Sequence, residues 1–333
     1  MTILVTAPYN EKERGILEEA LGTIVYRPWK PNGRAFNAEE VMGLLTESNA
    51  DAYITEHDKV TRAVIEQYPS LQFIGVCRGT PSNVDIEAAS AHQIPVFYTP
   101  ARNAQAVAEM FLSNVIALMR NTLPAMQWLE SESWQAGAHD SYLQFKGNEL
   151  AGKTIGMVGF GAIGQRIAEM TLHFPCTIRY YDPYVEGSFE NASPAPLEEV
   201  FASSDIVSIH LPVNEQTKGM IDANLLQRMK KEAIFVNTSR AVVVNRMALR
   251  DVLVQKRIRG AVLDVFDAEP PDALDYELIH MQQVLATPHI AGATHEVEDH
   301  HAVIMNRNLL NWYVNRNGSH SFVANSQHVQ RVK

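Results

Sequence analysis

Three side chains that could together bind an anion and move a proton lie far apart in the sequence. Arg240 and His289 each follow a short apolar run that is typical of a buried strand, and Glu269 precedes two prolines. A guanidinium can bind a carboxylate through two parallel hydrogen bonds, and an imidazole exchanges a proton near neutral pH. A carboxylate beside the imidazole would hold one ring nitrogen and favour the protonated ring. Singly, each residue has an ordinary explanation, because loop histidines and arginines commonly face solvent and Glu-Pro-Pro is typical of a turn.

A glycine-rich turn in the middle of the chain is the second chemical feature. Residues 155–158 form an apolar run typical of a buried parallel strand, and Gly-Phe-Gly-Ala-Ile-Gly follows directly at residues 159–164. A helical pattern then continues until Pro175 stops it, and residues 177–181 are predicted to form the next strand, which ends at Asp182. This strand–helix–strand order is typical of a dinucleotide-binding site.

Each glycine of this turn has a physical reason to be there. Gly159 permits the tight turn, Gly161 lets the backbone approach a pyrophosphate, and Gly164 lets the helix pack closely on the strand. Asp182 would accept hydrogen bonds from the adenosine ribose and repel a 2′-phosphate, which favours NAD over NADP. The alternative is that Asp182 only opens the turn before Pro183.

Polar residues also follow the strands predicted after this unit. Those strands lie at residues 205–209, 233–236, 260–263 and 284–286. Because ligands of an open α/β sheet bind beyond the carboxyl ends of its strands, we expect a cofactor site there. The candidate residues in these segments are His210, Pro212, Thr238, Ser239, Asp264 and Gly292. A nicotinamide cofactor implies hydride transfer, and if a 2-oxo acid is reduced, the three side chains above supply the cation, the acid and the carboxylate that the reaction needs.

The first hundred residues alternate between short apolar runs and helical patterns, which predicts a separate open α/β domain with a parallel sheet. Two loops after its strands, residues 77–85 and 99–103, carry polar side chains. The candidate substrate contacts in these loops are Arg78, Gly79, Thr80 and Arg102. The alternative is that Asn83 and Asn103 cap helices and the arginines face water.

Composition narrows the class of protein. The 333 residues are enough for two domains, and 46% hydrophobic with 20% charged residues is ordinary for a soluble globular protein. A net charge of −10 argues against a nucleic-acid partner, and residues 256–259, the densest basic patch, are predicted to be a solvated helix end. Cys77 and Cys176 lack disulfide or metal-ligand spacing and are expected to be reduced core residues. We also expect no signal peptide and no membrane span, because the N-terminus lacks a basic region and no apolar run is long enough. Together these features predict a cytoplasmic protein without metal or membrane contact.

Two further segments lie outside these sites. Residues 121–150 are predicted to be irregular and contain Trp128, Trp134 and Tyr142, which we expect to cover a partner subunit. Residues 296–314 have helical spacing, and the tail from residue 318 is expected to return to the first domain or to fray.

Four blocks of the sequence resemble the D-isomer-specific 2-hydroxyacid dehydrogenases. They are the glycine turn with Asp182, residues 237–240 (Asn-Thr-Ser-Arg), residues 263–270 (Leu-Asp-Val-Phe-Asp-Ala-Glu-Pro) and residues 287–292 (Thr-Pro-His-Ile-Ala-Gly). The resemblance spans roughly residues 50 to 315. It implies that Arg240, Glu269 and His289 are catalytic, that Asp264 contacts the nicotinamide end, and that Ala162 and Ile163 cover the pyrophosphate.

The resemblance also implies the architecture. We expect two Rossmann-like or flavodoxin-like open parallel-sheet domains with an active-site cleft between them. Residues 1–102 and 294–333 would form the substrate-binding domain, and residues 103–293 the NAD-binding domain, through which the chain would form a homodimer.

The chain departs from the family pattern in one loop, where Pro81 stands at the position of a second glycine in many members. Proline removes a backbone donor, so we expect Arg78, Arg102 or both to read an extra anionic or polar group of the substrate. Phosphoglycerate, glycerate (hydroxypyruvate) and sugar acids are candidates, although the chain ends too soon for an added regulatory domain. The alternative, from a different class, is an NAD(H)-sensing binding protein such as a corepressor on the same fold.

Overall fold

A computed structural model describes residues 1–135, 137–315 and 322–329 and divides the chain into two compact units. Unit 1 consists of Met1–Asn103 together with the described residues from Thr294 onward. Unit 2 is Ala104–Ala293. Each unit has its own parallel sheet and its own hydrophobic core.

Strands and helices alternate along the chain. The elements of the first part of unit 1 are β1 (Ile3–Val5), α1 (Glu11–Leu21), β2 (Ile24–Tyr26), α2 (Ala38–Ser48), β3 (Ala52–Thr55), α3 (Arg62–Gln67), β4 (Ile74–Val76), α4 (Ile86–Ala91) and β5 (Val96–Tyr98). Those of unit 2 are α5 (Ala104–Met119), α6 (Thr122–Glu130), α7 (Ala138–Gln144), β6 (Thr154–Val158), α8 (Ala162–Met170), β7 (Thr177–Tyr181), β8 (Ala192–Pro194), α9 (Leu197–Ser203), β9 (Ile206–Ile209), α10 (Ala223–Arg228), β10 (Ile234–Asn237), α11 (Arg246–Val254), β11 (Gly260–Leu263), α12 (Ala273–Ile279) and β12 (Val284–Ala286). Helix α13 (Glu296–Tyr313) returns the chain to unit 1.

The sheet of unit 1 has the order β2-β1-β3-β4-β5 with parallel pairing throughout. Its strands are apolar runs because helices cover both faces. Leu17 of α1 and Trp312 of α13 pack on one face, and Val41 of α2 and Val64 of α3 pack on the other. This strand order is the flavodoxin-like one.

The sheet of unit 2 has the order β12-β11-β10-β9-β6-β7-β8, again parallel. The chain reverses its direction of growth beside β6, which is the strand that leads into the glycine turn, and such a reversal is where doubly wound sheets bind nucleotides. Helices α5 and α8 pack on one face, with Phe111 and Ile167 in that core. Leu226 of α10 and Leu253 of α11 lie in the core of the other face. The predicted α/β class with two open parallel sheets is confirmed.

Three local predictions are wrong in an informative way. The segment 121–150 is not irregular throughout but contains α6 and α7. Helix α8 ends at Met170, before Pro175, because a short turn with its own hydrogen bonds intervenes. The basic patch is not simply solvated: Ile258 is buried and the Arg259 guanidinium donates to the carbonyl of Met119 at 2.8 Å, which satisfies an acceptor at the end of α5.

The described part of the C-terminal tail lies against unit 1. Val323 pairs with Phe97 as an antiparallel bridge, and the amide of Ala324 donates to Val96 at 2.8 Å. Residues 316–321 and 330–333, on which part of the tail prediction falls, lie outside the described residues. Within the described ranges, none of the helices is both long and apolar enough to cross a bilayer. Cys77 and Cys176 are buried and unpaired, as expected.

Candidate active site

The glycine turn between β6 and α8 has the geometry that its sequence predicts. Gly159 has φ +89°, and a Cβ there would lie 2.7 Å from the carbonyl oxygen of His210, so any side chain is excluded. A Cβ on Gly161 would meet nothing within 4 Å, which leaves this stretch of backbone open to a ligand. A Cβ on Gly164 would lie 3.1 Å from the ring of Phe160, so the helix packs closely on the turn. Ala162 and Ile163 form the first turn of α8, whose amides are unpaired within the helix.

Asp182 closes this turn from the end of β7. Its Oδ2 accepts a hydrogen bond from the amide of Phe160 at 2.8 Å, and its Oδ1 accepts one from the amide of Tyr184 at 2.9 Å. The carboxylate therefore lies beside the glycine turn and also opens the turn after β7. The structure shows the turn-opening role of Asp182, and its contact with a ribose stays a prediction.

Two buried polar atoms without partners lie where the cofactor is expected. Nδ1 of His210 and Oγ1 of Thr238 have no hydrogen-bond partner among the described residues, and they follow the neighbouring strands β9 and β10. Burial lowers the pKa of His210 to about 4, so its ring is neutral near pH 7, and Nε2 lies 2.9 Å from Oγ of Ser208. Buried polar atoms are nearly always paired, so these two fit a ligand with polar groups such as NAD. The other predicted cofactor residues in these loops are Pro212, Ser239 and Gly292.

The structure brings His289 and Glu269 together. Nδ1 of His289 lies 3.0 and 2.8 Å from the two carboxylate oxygens of Glu269. A carboxylate can only accept, so Nδ1 carries the hydrogen and Nε2 is left for another partner. Both side chains are a little over two-fifths exposed, at 43% and 44%. His289 has φ +54°, a left-handed conformation that a histidine rarely adopts, so its position must be held from outside.

Asp264 holds it. This carboxylate is fully buried and accepts three hydrogen bonds from the segment around His289: from Thr287 Oγ1 at 2.6 Å, the amide of Ile290 at 2.9 Å and the amide of Ala291 at 2.8 Å. The sequence placed Asp264 beside the nicotinamide and missed this supporting role. The sequence signal for this supporting role is an aspartate directly after an apolar run. In the fold that run is β11, which pairs with β12, the strand before His289.

Arg240 follows the adjacent strand β10 at the same edge of the sheet. Its side chain is exposed, and Nη1 donates to the carbonyl of Ser239 at 2.6 Å. Its own carbonyl accepts from Nδ2 of Asn237 at 3.0 Å, which fixes the backbone after the strand. In the described part of the chain, no hydrogen bond or ion pair joins Arg240 to Glu269 or His289. The three predicted catalytic residues thus share one unit, and two of them are in contact.

The substrate loop predicted in unit 1 follows β4. Arg78 is partly buried, its amide donates to Val76 at 2.8 Å, and Gly79 and Thr80 are exposed. Asn83 does not cap α4, because the cap is Asp85, whose carboxylate accepts from the amide at the third helical position. The better cap is thus two residues further along the same loop.

The guanidinium of Arg102 is largely shielded from solvent, and one of its nitrogens already has partners within the protein. Its side chain is 16% exposed, and Nη1 donates to Oε1 of Glu56 at 2.8 Å and lies 3.2 Å from Nδ1 of His301. Nε2 of His301 lies 2.6 Å from the carbonyl of Pro8, so Nε2 donates and Nδ1 accepts from Arg102. The charge of Arg102 is therefore compensated by a carboxylate within its own unit.

Comparison with known proteins identifies a family. The family model described as "D-isomer specific 2-hydroxyacid dehydrogenase, NAD binding domain" matches residues 112–291. The Bacillus subtilis protein named "Putative 2-hydroxyacid dehydrogenase YoaD" is 56% identical over 312 residues, which cover 94% of this chain and 91% of that protein. The hydroxypyruvate reductase of Thermotoga maritima is 33% identical over 261 residues, 78% of this chain and 83% of its own.

A solved structure shows the same fold. The structure of D-2-hydroxyisocaproate dehydrogenase superposes with a TM-score of 0.81 at 23% identity, covering 96% of this chain and 98% of that one. This likeness supports the fold alone, and the sequence relatives carry the family assignment.

Proposed function

This chain belongs to the D-isomer-specific 2-hydroxyacid dehydrogenases, NAD-dependent oxidoreductases, and we propose that it reversibly reduces a small 2-oxo acid to the D-2-hydroxy acid. The observation that carries the proposal is the hydrogen-bonded pair of Glu269 and His289 at the carboxyl edge of the unit 2 sheet. The arrangement leaves one imidazole nitrogen to exchange a proton with a substrate oxygen.

Each of the three polar groups has a distinct role in the proposal. Nε2 of His289 donates a proton to the substrate oxygen in reduction and accepts it in oxidation. Glu269 accepts a hydrogen bond from Nδ1 and fixes the orientation of the ring. The exposed guanidinium of Arg240 binds the substrate carboxylate through two hydrogen bonds and polarises the oxo group.

NAD(H) supplies the hydride when it is bound. We propose that the glycine turn and the first turn of α8 bind its pyrophosphate and that Asp182 binds the ribose. His210 and Thr238, with their unpaired buried atoms, would take polar groups of the cofactor, and Asp264 would support its nicotinamide end through the loop that it holds. Pro212, Ser239 and Gly292 would line the same site.

For the substrate we propose a short, polar 2-oxo acid of the hydroxypyruvate or sugar-acid class. Arg78, Gly79 and Thr80 would contact it, with Arg78 as the cation for a distal anionic or hydroxyl group. The charge of Arg102 is compensated by Glu56, which would weaken its contact with an anionic group. Comparing the rates of wild type and Arg78→Gln on hydroxypyruvate and on its 3-phosphate tests this choice. If the guanidinium binds a phosphate, the variant should lose most of its rate on the 3-phosphate and little of its rate on hydroxypyruvate.

We also propose a homodimer formed through unit 2. The helices α6 and α7 and the turn between them expose large apolar side chains, which is unusual unless a partner covers them. These side chains are Leu123, Met126, Leu129, Trp134, Tyr142 and Leu143. Light scattering that reports twice the mass of one chain would support the dimer, and a monomer at micromolar concentration would contradict it.

The test of the reaction is NADH oxidation followed by absorbance with a panel of 2-oxo acids. We expect turnover with hydroxypyruvate or a sugar 2-oxo acid and a D-configured product. His289→Asn should lower kcat by about a hundredfold or more, the usual contribution of a positioned acid–base group, and Glu269→Gln should shift the pH dependence of kcat. Tight NADH binding without oxidation of any panel member would instead favour an NAD(H)-sensing binding protein.

A further inference from the structure

The loop that carries Glu269 is held at both ends by one guanidinium. Nε of Arg246 lies 2.8 Å from Oδ2 of Asp267, two residues before Glu269. Nη1 of the same arginine donates to Oδ2 of Asp272 at 2.8 Å, three residues after Glu269. A single side chain at the start of α11 therefore spans the loop from one end to the other.

A third carboxylate connects this contact to the start of α12. Nη1 of Arg246 also donates to Oδ1 of Asp275 at 3.0 Å, and Asp275 is only 1% exposed. The other oxygen of Asp275 accepts from the amide of Ala268 at 3.2 Å, the residue directly before Glu269. Asp272 and Asp275 form the capping box of α12, so the loop, the helix start and Arg246 make one connected network.

The charges in this network require the arginine. Three carboxylates gather around one cation, and without it they would repel one another and open the loop. The pKa shifts agree for one pair: hydrogen bonding to Asp272 raises the pKa of Arg246, and the same bond lowers the pKa of Asp272. At Asp267, burial raises the pKa and outweighs the lowering by Arg246. Lysine could replace these contacts only in part, because its three donors sit on one compact nitrogen and cannot span the carboxylates as the planar guanidinium does.

Glu269 itself has little else to hold it within its loop. Its one hydrogen bond to the local backbone, from the amide of Phe266, is long at 3.5 Å. Its remaining described bonds go to His289. The position of its carboxylate therefore depends on where the ends of the loop are fixed.

We propose that Arg246 is a positioning residue for the proton-transfer pair, acting through the Asp267–Asp272 loop to hold Glu269 against His289. The inference rests on the proposed function of that pair. Nothing in it requires Arg246 to touch substrate or cofactor, so its loss should affect turnover and spare cofactor binding.

The matched control lies one helical turn further along α11. Arg250 is 31% exposed, against 25% for Arg246, and its Nε lies 2.6 Å from Glu277. It therefore makes an ion pair between the same two helices, α11 and α12, without touching the loop. Arg250→Gln removes a similar charge and a similar interhelical contact, but leaves Glu269 in place.

The experiment compares Arg246→Gln, Arg246→Lys and Arg250→Gln in steady-state reduction and in NADH binding by fluorescence. We expect Arg246→Gln to lower kcat by about tenfold, the scale of a displacement below 1 Å at a reacting group, with NADH affinity changed by less than about twofold because the glycine turn is untouched. Arg246→Lys should recover only part of the loss, and Arg250→Gln should keep the wild-type kcat.

Removal of Glu269 separates this inference from the proposed function. If Arg246 acts through Glu269, then adding Arg246→Gln to Glu269→Ala should cause no further loss of kcat, because no acceptor at position 269 is left to be held against His289. Full additivity of the two changes, or equal losses in Arg246→Gln and Arg250→Gln, would overturn the positioning role. A Glu269→Gln variant with wild-type turnover and pH dependence would instead refute the proposed function itself.

A conservative variant covers the case in which Arg246→Gln does not fold. Asp267→Asn keeps the size of the side chain and weakens only one end of the span. We expect a smaller loss of kcat in the same direction with unchanged NADH affinity. A folded Asp267→Asn protein that has lost the ion pair with Arg246 and keeps the wild-type kcat would count against the proposal.

Discussion

Replacement of Asp264 by asparagine should both destabilise unit 2 and slow turnover. The buried carboxylate accepts hydrogen bonds from Thr287, Ile290 and Ala291, and these three donors bracket His289. Two of them bind Oδ1 and the third binds Oδ2, so both oxygens are needed. Asparagine offers one oxygen and one NH2 group in their place.

The cost follows from this geometry. In either orientation of the amide, its NH2 group faces a backbone N–H, and one charge-assisted hydrogen bond is lost while the others become neutral. Losing such a bond and leaving a buried donor unpaired costs about 1.5–3 kcal/mol, and the weakening of the others adds to it. Relief of the buried charge offsets part of the total, which we place at about 3 kcal/mol. For a domain the size of unit 2, residues 104–293, this corresponds to a Tm lower by about 6–12 °C.

The measurements are a thermal melt followed by circular dichroism and steady-state reduction of the best 2-oxo acid. Release of the loop lets His289 leave its left-handed backbone conformation, so kcat should fall by about tenfold or more. NADH affinity reports separately whether the cofactor site has changed.

Asp222→Asn is the matched control in the same unit. Asp222 caps α10, and its Oδ1 accepts from the amide of Leu225 at 2.9 Å. Asparagine caps a helix as well as aspartate does, so this variant loses the same charge with little loss of stability. If Asp264→Asn melts within about 2 °C of the wild type and keeps its kcat, then the carboxylate does not hold the loop and the reasoning fails.

Two further predictions concern the cofactor site. Asp182→Ala should weaken NADH binding by about tenfold or more, since hydrogen bonds to a charged group are lost, and it should reduce the preference for NADH over NADPH. Fluorescence titrations with both cofactors measure the two affinities. Unchanged affinities would refute the ribose contact. Burial lowers the pKa of His210 to about 4, whereas in the unfolded chain this ring takes up a proton near pH 6.5. Between these pH values only the unfolded state is protonated, so the free energy of unfolding should fall by up to about 3 kcal/mol as the pH drops from 6.5 to 4. Urea unfolding of wild type and His210→Gln measures this, since the stability difference between them must change with pH over that window, and parallel curves would contradict it.

The sequence predicts the parallel-sheet fold well because a buried parallel strand is a short apolar run bounded by polar residues. The predictions of β7 at residues 177–181 and of β11 at residues 260–263 agree with the structure at both ends. Strand β8 was missed because Ala192–Pro194 lacks the apolar character of the other strands, and it lies at the edge of the sheet. The helices α6 and α7 were missed because their apolar side chains face outward, so no buried stripe marks them.

The sequence marks the proposed reactive groups more clearly than the residues that support them. Arg240, Glu269 and His289 stand out because their chemical types are needed and their positions follow strands or precede a turn. Arg246 has no such signal: its partners lie 21 to 29 residues away, at intervals that follow no period. Glu56, which neutralises Arg102, was missed for the same reason, since only the folded chain places the end of β3 beside that guanidinium.

The two supports described here act on different members of one pair. Asp264 holds the segment that carries the imidazole, and Arg246 holds the loop that carries its carboxylate partner. Adjacent parallel strands explain how residues so distant in sequence meet: Asn237 pairs with Leu263, and Leu263 pairs with Ala286, so the segments that follow all three emerge at one edge. In the proposed reaction, displacing the imidazole removes the proton donor itself, whereas displacing the carboxylate removes only the group that orients that donor. The larger kinetic loss is therefore expected from Asp264, even though the network around Arg246 contains more charges.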